Sequence, residues 1–360
     1  MTIEKNEDTN LVVENFSRFE INLKNRASLP IFQISAPVVD KKGILMVGDY
    51  VAEDFHNFLV KNGLRNRWFI VSTTQSDAVP TQCKSVDLNM FTNRSDVGLY
   101  LVSEAKGIPF STELGDGHYV DPRVFFPESN ASKKWDILYP AKYYPTKKTE
   151  MLLEVARLNP SIKIAIVGWP VISERKAKTS NEYREMIIRL SKDLPNVTIF
   201  DNAPDGESHH LNPDRSIVVG RYTKEEMRRD FYSHAKSVIF LSEETEAVNR
   251  ACTEALCCNV PILVSSSKGG LDDLVNDKTG VIIQRSVEGI VKGLNVLKAK
   301  EEKLDPRNNF LNNFGREKAN QKLHNLIKSV SKDDINLENC VMYGGDLWTT
   351  YPNYSQILLM

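Results

Sequence analysis

The chain has 360 residues, of which 46 are lysine or arginine and 47 are aspartate or glutamate, so its formal net charge at pH 7 is -1. This length exceeds the size at which one hydrophobic core usually stops growing, which predicts two domains. The balanced charge excludes the strongly basic footprint of a nucleic-acid partner, and no apolar run approaches membrane-spanning length. Because the first residues, MTIEKNEDTN, also lack the pattern of a signal peptide, we expect a cytoplasmic protein.

Short β-like runs alternate with helical ones after a polar N-terminal tail. The strand candidates of the N-terminal half are PIFQISAP, GILMVGD, RWFIVSTT and VGLYLVS. Between the second and the third lies YVAEDFHNFLVKNG, whose apolar residues share one helical face and in which Gly63 marks the helix end. The pattern therefore predicts a βαβ unit.

A turn-rich segment, GDGHYVDPRVFFPESNASKKW, interrupts the alternation and predicts a linker between the domains. After it come strand DILYPA, a helix from Thr146, strand KIAIVGW, a helix within NEYREMIIRLSKDL, and strands NVTIF and SIVVG. The next helix, YTKEEMRRDFYSHAK, starts with a capping-box pattern of Thr223 and Glu226 and precedes strand SVIFLS. The alternation predicts an α/β protein of two Rossmann-like domains with parallel sheets, covering residues 1–130 and 131–330.

Five cysteines are spread along the chain without the paired spacing of a zinc site. We expect them to be reduced, and those in helices to serve as small buried hydrophobes. They are Cys83, Cys252, Cys257, Cys258 and Cys340.

Two carboxylates flank the start of the helix predicted within EETEAVNRACTEALCCNVP. Glu246 lies in the loop after a strand and Glu254 in the helix, for which Asn249 is a favoured N-cap and Asn259 a favoured left-handed end. In open α/β sheets, ligands bind beyond the carboxyl ends of the strands, near such helix starts. Spacing alone nevertheless favours a solvated acidic loop followed by an amphipathic helix.

The same stretch resembles the nucleotide-sugar site of glycosyltransferase family 4, whose members have the GT-B fold of two facing Rossmann-like domains. The family pattern consists of two glutamates, an alanine, a proline before a strand, a Gly-Gly turn and a Thr-Gly pair. These places are filled in order by Glu246, Glu254, Ala255, Pro261, Gly269, Gly270, Thr279 and Gly280. The resemblance implies that Glu254 binds the ribose hydroxyls and that Glu246 contacts the transferred sugar.

The family also carries a basic pair at the start of its C-terminal domain, and Lys142 and Lys147 match it in YPAKYYPTKKTEMLLEVARL. Fixed cations there would stabilise the charge that grows on the leaving diphosphate. The first member of the pair is commonly arginine, whose guanidinium can donate two parallel hydrogen bonds to a phosphate. Lys142 at this place offers a compact single charge instead. Taken alone, the segment is more typical of a lysine-rich turn that caps a helix.

The resemblance assigns further residues to the site. Ala247 and Asn249 replace the glycines that are usual after the first glutamate, and the Asn249 side chain either donates to the sugar or caps the helix. Arg250 and Gly168 are assigned to the same nucleotide-sugar site. His118, in the linker, is a candidate for positioning the sugar.

Taken together, the resemblance implies a cytoplasmic, retaining hexosyltransferase of polysaccharide or glycoconjugate biosynthesis. It would move a sugar from a nucleotide-diphosphate sugar to a hydroxyl of a saccharide, another glycoconjugate or a small molecule, with no metal or other cofactor. The family's fold implies that residues 331–360 cross back to the N-terminal domain. Two alternatives stay open: a GT-B nucleotide-sugar epimerase, and a catalytically silent member that binds a nucleotide sugar or a protein partner.

Overall fold

The computed structural model describes residues 31–73, 85–90, 107–111, 113–170, 174–201, 222–243, 248–267, 269–332 and 334–337. Two β-sheets, one of five strands and one of six, organise these residues. The predicted strands VGLYLVS and SIVVG, as well as Cys83 and Cys340, lie outside the described residues. Within the described ranges, no helix is both long and apolar enough to cross a membrane.

The first sheet has the strand order β1-β2-β3-β4-β5. Its strands are Ile31–Ser35 (β1), Gly43–Gly48 (β2), Trp68–Thr73 (β3), Leu88–Met90 (β4) and Phe110–Ser111 (β5). Strands β2 and β3 pair in parallel and are joined by helix α1, Asp49–Lys61, which confirms the predicted βαβ unit. Gly63 follows α1 with a left-handed φ of 67°, as expected for a residue that ends a helix.

Strand β1 differs from the parallel arrangement that the alternation predicts, because it pairs antiparallel with β2. Only residues 36–42 separate the two strands, and a parallel connection needs a dozen residues or more. The connection instead turns back on itself through a bridge between Val38 and Lys41. The first sheet therefore begins with an edge hairpin.

The second sheet has the order β11-β10-β9-β6-β7-β8, and its pairings are parallel as predicted. Its strands are Ile137–Lys142 (β6), Ile164–Trp169 (β7), Val197–Asp201 (β8), Val238–Phe240 (β9), Ile262–Ser265 (β10) and Gly280–Ile283 (β11). The helices after the linker are Thr149–Leu158 (α2), Glu174–Ser191 (α3), Lys224–Glu226 (α4), Arg250–Cys257 (α5), Val287–Ala299 (α6), Pro306–Asn313 (α7) and Arg316–Val330 (α8).

Helix α2 begins at Thr149 rather than at the predicted Thr146. The 3₁₀ turn Pro145–Lys147 comes first, and Lys148 then adopts a left-handed φ of 55°. A left-handed residue interrupts the α-helical hydrogen bonds, so the two turns cannot merge into one helix. The interruption leaves Lys147 on a short turn of its own.

The predicted capping box is present at the start of α4. The Thr223 hydroxyl accepts a hydrogen bond from the Glu226 N–H at 3.2 Å, and the Glu226 carboxylate accepts one from the Thr223 N–H at 2.6 Å. The chain continues from α4 as a π-helical segment, Met227–Phe231, and a 3₁₀ turn, Tyr232–His234. The predicted single helix is therefore three successive helical forms.

Helix α8 packs on the first sheet although it follows the second one in the chain. Its residues Ala319, Leu323 and Ile327 are buried in a cluster with residues of β1 to β4. Those partners include Ile34, Ile44, Met46, Phe69, Val71, Leu88 and Met90. By its packing, the segment 316–330 thus belongs with the first sheet, while the limits 1–130, 131–330 and 331–360 stay predictions.

Candidate active site

The second sheet changes its direction of growth between β6 and β9. The chain adds β7 and β8 on one side of β6 and then returns to place β9 on the other side. In open parallel sheets, ligands bind beyond the carboxyl ends of the strands at such a switch point. The segments that follow β6 and β9 are therefore the best candidates for lining an active site.

Lys147 brings an ammonium group to this switch point. It follows β6, and its Nζ donates a hydrogen bond of 3.2 Å to the hydroxyl of Ser242, which follows β9. The backbones are joined as well, since the Glu243 N–H donates to the Thr146 carbonyl at 2.8 Å. Lys148 pairs with the Glu243 carboxylate at 3.0 Å. The half-buried ammonium of Lys147 is thus held by contacts between the two segments.

Arg285 brings a second positive charge to Ser242. It follows β11, and its Nη2 donates a hydrogen bond of 2.7 Å to the Ser242 carbonyl oxygen. The Ser242 hydroxyl therefore accepts from the Lys147 ammonium, and its carbonyl oxygen accepts from the Arg285 guanidinium. Such a concentration of positive charge at the carboxyl edge of a sheet favours an anionic ligand.

Lys142 lies at the same edge of the sheet in a different setting. It is the last residue of β6, and its side chain is exposed. A solvated ammonium interacts more weakly with an anion than a half-buried one. Of the two predicted cations, Lys147 is therefore better placed to stabilise charge.

Helix α5 starts beside the same edge, as the residue pattern predicts. Asn249 is its N-cap, and the side-chain oxygen accepts a hydrogen bond from the Cys252 N–H at 3.3 Å. Of the two uses that the sequence left open for this side chain, capping is the one present. Arg250 is the first helical residue and is half-buried, and Asn259 ends the segment with the predicted left-handed φ, 59°.

Glu254 has a buried partner inside the protein. The hydroxyl of Tyr232 donates a hydrogen bond of 2.8 Å to its Oε2. Burial, followed by the nearby negative charge of Glu254, raises the pKa of the Tyr232 hydroxyl far above its usual value. The phenol therefore stays protonated and remains a donor to the carboxylate.

His118 lies in a 3₁₀ turn, Asp116–Tyr119, that packs on the start of α5. Gly117 permits this contact, because a Cβ there would lie 2.3 Å from the carbonyl oxygen of Val248. The His118 ring is buried, and its Nδ1 accepts a hydrogen bond from the Gly115 N–H at 3.1 Å. This bond leaves Nε2 as the protonated nitrogen of the neutral ring.

An open cavity of about 240 Å³ lies beside this histidine. Its lining consists of Glu113, His118, Asp273, Phe314 and Lys322. The ammonium of Lys322, on α8, is 3.3 Å from the Glu113 carboxylate. With charged groups of both signs, an imidazole and a phenyl ring, the cavity suits a ligand with several hydroxyl groups.

Gly168 is buried at the next-to-last position of β7. A Cβ at this position would lie 2.1 Å from Cζ of Tyr143. The Tyr143 ring thus lies directly against the Gly168 backbone. The resemblance assigns Gly168 to the substrate site, but the contact that the structure describes for it is with Tyr143 in the protein core.

Glu246 and Ala247 lie outside the described residues. The structure places Glu243 and Val248 on either side of them. In the sequence, they thus lie between the segment that contacts Lys147 and the start of α5.

Three cysteines lie in or directly after α5. Cys252, Cys257 and Cys258 are buried and free, which confirms the small-hydrophobe prediction for them. Burial raises the pKa of the Cys257 thiol to about 12, so it stays protonated. Among the residues that the structure describes, no group of three or more His, Cys, Asp or Glu side chains could hold a metal ion.

Three residues of this site, Ser242, Arg285 and Tyr232, are not predicted from the sequence. The first two follow strands β9 and β11, so their position at strand carboxyl ends was an available signal. Tyr232 had no such signal, because a π-helical segment places it and the pattern predicts an ordinary α-helix.

Removing the Asn249 side chain tests its capping role. We expect Asn249→Ala to lower the free energy of unfolding by about 1 kcal/mol, because the Cys252 N–H loses its partner. Asn249→Gly should cost only about 0.3 kcal/mol, and Asn249→Asp should retain the cap. Urea unfolding measures all three variants. A loss for Asn249→Ala no larger than that for Asn249→Asp would show that the cap contributes nothing.

The sequence profile of one family, described as glycosyl transferases group 1, matches residues 121–318. This range contains the whole second sheet together with Lys142, Lys147, Asn249 and Glu254. No curated protein matches the sequence.

Several solved structures share the fold at low sequence identity. Sucrose-phosphate synthase from Thermosynechococcus elongatus has a TM-score of 0.56 at 13% identity, over 79% of this chain and 73% of that one. Anabaena HepE in complex with UDP and glucose has a TM-score of 0.57 at 12% identity, over 79% and 78%. A TarM variant from S. aureus in complex with UDP and two glycan ligands has a TM-score of 0.53 at 14% identity, over 78% and 55%.

These similar structures are GT-B glycosyltransferases, which confirms the GT-B prediction for the fold. The family profile is independent of them, and it covers the sheet, the switch point and α5. Because it matches more than half of the sequence, the chain belongs to the glycosyl transferases group 1 family.

Proposed function

We propose that the protein is a retaining glycosyltransferase of the family 4 type, which transfers a hexose from a nucleotide-diphosphate sugar to an acceptor hydroxyl. The observation that carries this proposal is the Lys147 ammonium at the switch point, held by Ser242 beside the start of α5. A fixed cation at that place suits a ligand whose central group is a diphosphate.

Similar structures support the class of donor. HepE has been solved with UDP and glucose, and a TarM variant with UDP. In this chain, a diphosphate would lie near Lys147 and the N–H groups that start α5. The ribose would then lie at Glu254, whose carboxylate can accept hydrogen bonds from two neighbouring hydroxyls.

The proposed reaction breaks the bond between the anomeric carbon and the β-phosphate oxygen. The electron pair leaves with the phosphate, where Lys147 stabilises the developing charge. The departing oxygen accepts the proton of the acceptor hydroxyl as that hydroxyl bonds to the same face of the sugar. This route retains the anomeric configuration and uses no base from the protein.

The acceptor has a candidate place in the cavity beside His118. Glu113 and Asp273 supply oxygen acceptors there, and Lys322 supplies a donor. A polyhydroxylated molecule, such as a saccharide, matches that mixture of groups. Residues of the linker, of the connection between β10 and β11, and of α8 would then all contribute to acceptor binding.

Thermal unfolding with a panel of nucleosides, nucleoside diphosphates and their sugars tests the proposal. A ligand at 100 times its Kd stabilises the native state by about 2.7 kcal/mol, so a donor should raise Tm clearly. We expect one nucleoside diphosphate to raise Tm and its nucleoside to have much less effect.

Turnover of the best donor then tests the reaction. Transfer to an acceptor with the same anomeric configuration, followed by NMR, is the expected result. Epimerisation of the donor without an acceptor, or binding without turnover, would contradict the proposed transfer, and an inverted product would contradict retention.

A further inference from the structure

The hydrogen bond between Tyr232 and Glu254 joins the interior of the protein to the proposed donor site. Tyr232 is 0% exposed, whereas Glu254 is half-buried. One carboxylate oxygen accepts the phenol's hydrogen bond at 2.8 Å. A buried hydroxyl without a partner is costly, so this contact ties the rotamer of Glu254 to the position of the phenol ring.

The unusual backbone before Tyr232 sets the direction of its side chain. The π-helical segment Met227–Phe231 contains a wider turn than an α-helix and ends directly before Tyr232. The Arg228 carbonyl in this widened turn accepts from the Tyr232 N–H and also from the Ser233 hydroxyl at 2.7 Å. One inserted residue rotates everything after it by about 100° relative to a regular α-helix. Isolated π turns are frequent at functional sites.

The ring of Tyr232 is also fixed by its neighbours. It packs edge-to-face against Phe125, with 6.1 Å between the ring centroids. Phe125 belongs to the linker and lies in the same buried cluster as Cys252 and Cys258 of the α5 region. Because this surrounding is apolar, a hydrogen bond inside it is stronger than the same bond in water.

A carboxylate has two acceptor oxygens, so Glu254 still has acceptor positions for ligand hydroxyls after one oxygen has accepted the bond from Tyr232. Immobilising this carboxylate before the ligand arrives reduces the entropy cost of binding. We propose that Tyr232 is a positioning residue of the donor site, which holds Glu254 in the orientation that receives the ribose hydroxyls. This inference rests on the proposed function, and it adds a residue that does not itself touch the donor.

The test compares two ligands that differ only at the ribose. Tyr232→Phe keeps the ring and removes the hydroxyl, and binding of UDP and of 2′,3′-dideoxy-UDP is measured by calorimetry on the full chain. We expect the variant to bind UDP about 3- to 10-fold more weakly, which corresponds to the usual net worth of one hydrogen bond. Its affinity for 2′,3′-dideoxy-UDP should equal that of the unaltered protein, because that ligand has no ribose hydroxyls for Glu254 to bind.

A matched control variant is Tyr183→Phe. The Tyr183 hydroxyl likewise donates to a glutamate, Glu150, but the pair joins α2 to α3 and is not in α5. Tyr183→Phe should leave the affinities for UDP and for 2′,3′-dideoxy-UDP unchanged. In a Glu254→Ala background, Tyr232→Phe should cause no further loss of UDP affinity. This comparison of the double variant with Glu254→Ala can be made even if Tyr232→Phe alone lowers the stability of the protein.

Steady-state kinetics give a second readout, because Tyr232→Phe should raise the KM for the donor and leave kcat at saturation nearly unchanged. Equal losses of affinity for the two ligands, or no loss for UDP, would overturn the positioning role while leaving the proposed function intact. If the unaltered protein binds neither UDP nor any other nucleoside diphosphate, the proposed function fails and this inference fails with it.

Discussion

Lys147→Ala should lower kcat by about 10²–10³-fold and leave the fold intact, the loss that removal of one preorganised charge stabiliser typically causes. The ammonium already lies 3.2 Å from the Ser242 hydroxyl, so little reorganisation accompanies the reaction. Charge on the β-phosphate grows as the sugar departs, and the Lys147 contribution is therefore larger in the transition state than in the bound donor. Steady-state kinetics over a range of donor concentrations measure the effect.

Lys148→Asn is the matched control for this experiment. It removes the neighbouring positive charge at a left-handed position, φ 55°, which asparagine tolerates well. We expect it to change kcat much less, since Lys148 pairs with the carboxylate of Glu243. Lys142→Arg, which restores the residue commoner in the family, should retain activity. If Lys147→Ala raised only KM, Lys147 would bind the donor equally well in the ground state and in the transition state. It would then have no role in stabilising the leaving group.

Glu254→Ala should weaken binding of the nucleoside diphosphate by about 1–3 kcal/mol, because the ribose hydroxyls lose the carboxylate that accepts their hydrogen bonds. This corresponds to about 5- to 150-fold in Kd. Calorimetric titration measures the loss, and an unchanged affinity would contradict the ribose assignment.

The same substitution has a second effect that the structure makes explicit. The hydroxyl of Tyr232 loses its acceptor inside the protein, so Glu254→Ala should also reduce stability. Glu254→Gln keeps one oxygen as an acceptor for Tyr232, removes the negative charge and replaces the second oxygen by an NH2 donor. Measuring both variants separates the loss of the donor contact from the loss of the internal hydrogen bond.

Helix ends and the parallel sheet could be predicted because their signals are local. Asn249 caps its own helix, Asn259 ends it with a positive φ, and Thr223 forms its box with a residue three positions ahead. Alternating strands and helices demand crossover connections, so a parallel second sheet follows from the order of the segments alone.

The contacts that shape the candidate site could not be predicted in this way. Lys147 and Ser242 are 95 residues apart, and only the sheet order brings them together. The direction of Tyr232 depends on a π-helical turn that has no signature in the apolar pattern. Strand β1 was predicted, but its antiparallel pairing was not, because the alternation alone gives no weight to how short its connection to β2 is.

Helix α8 reverses the order in which the two halves of the molecule can be completed during translation. The apolar face of the first sheet is made before the second sheet, but Leu323 and Ile327, which cover it, follow β11 in the chain and leave the ribosome only after it. The strands of the second sheet and the helices between them have all been made by then. Domains generally fold as units once their residues are available, so the second sheet can be completed while the first still has part of its core exposed.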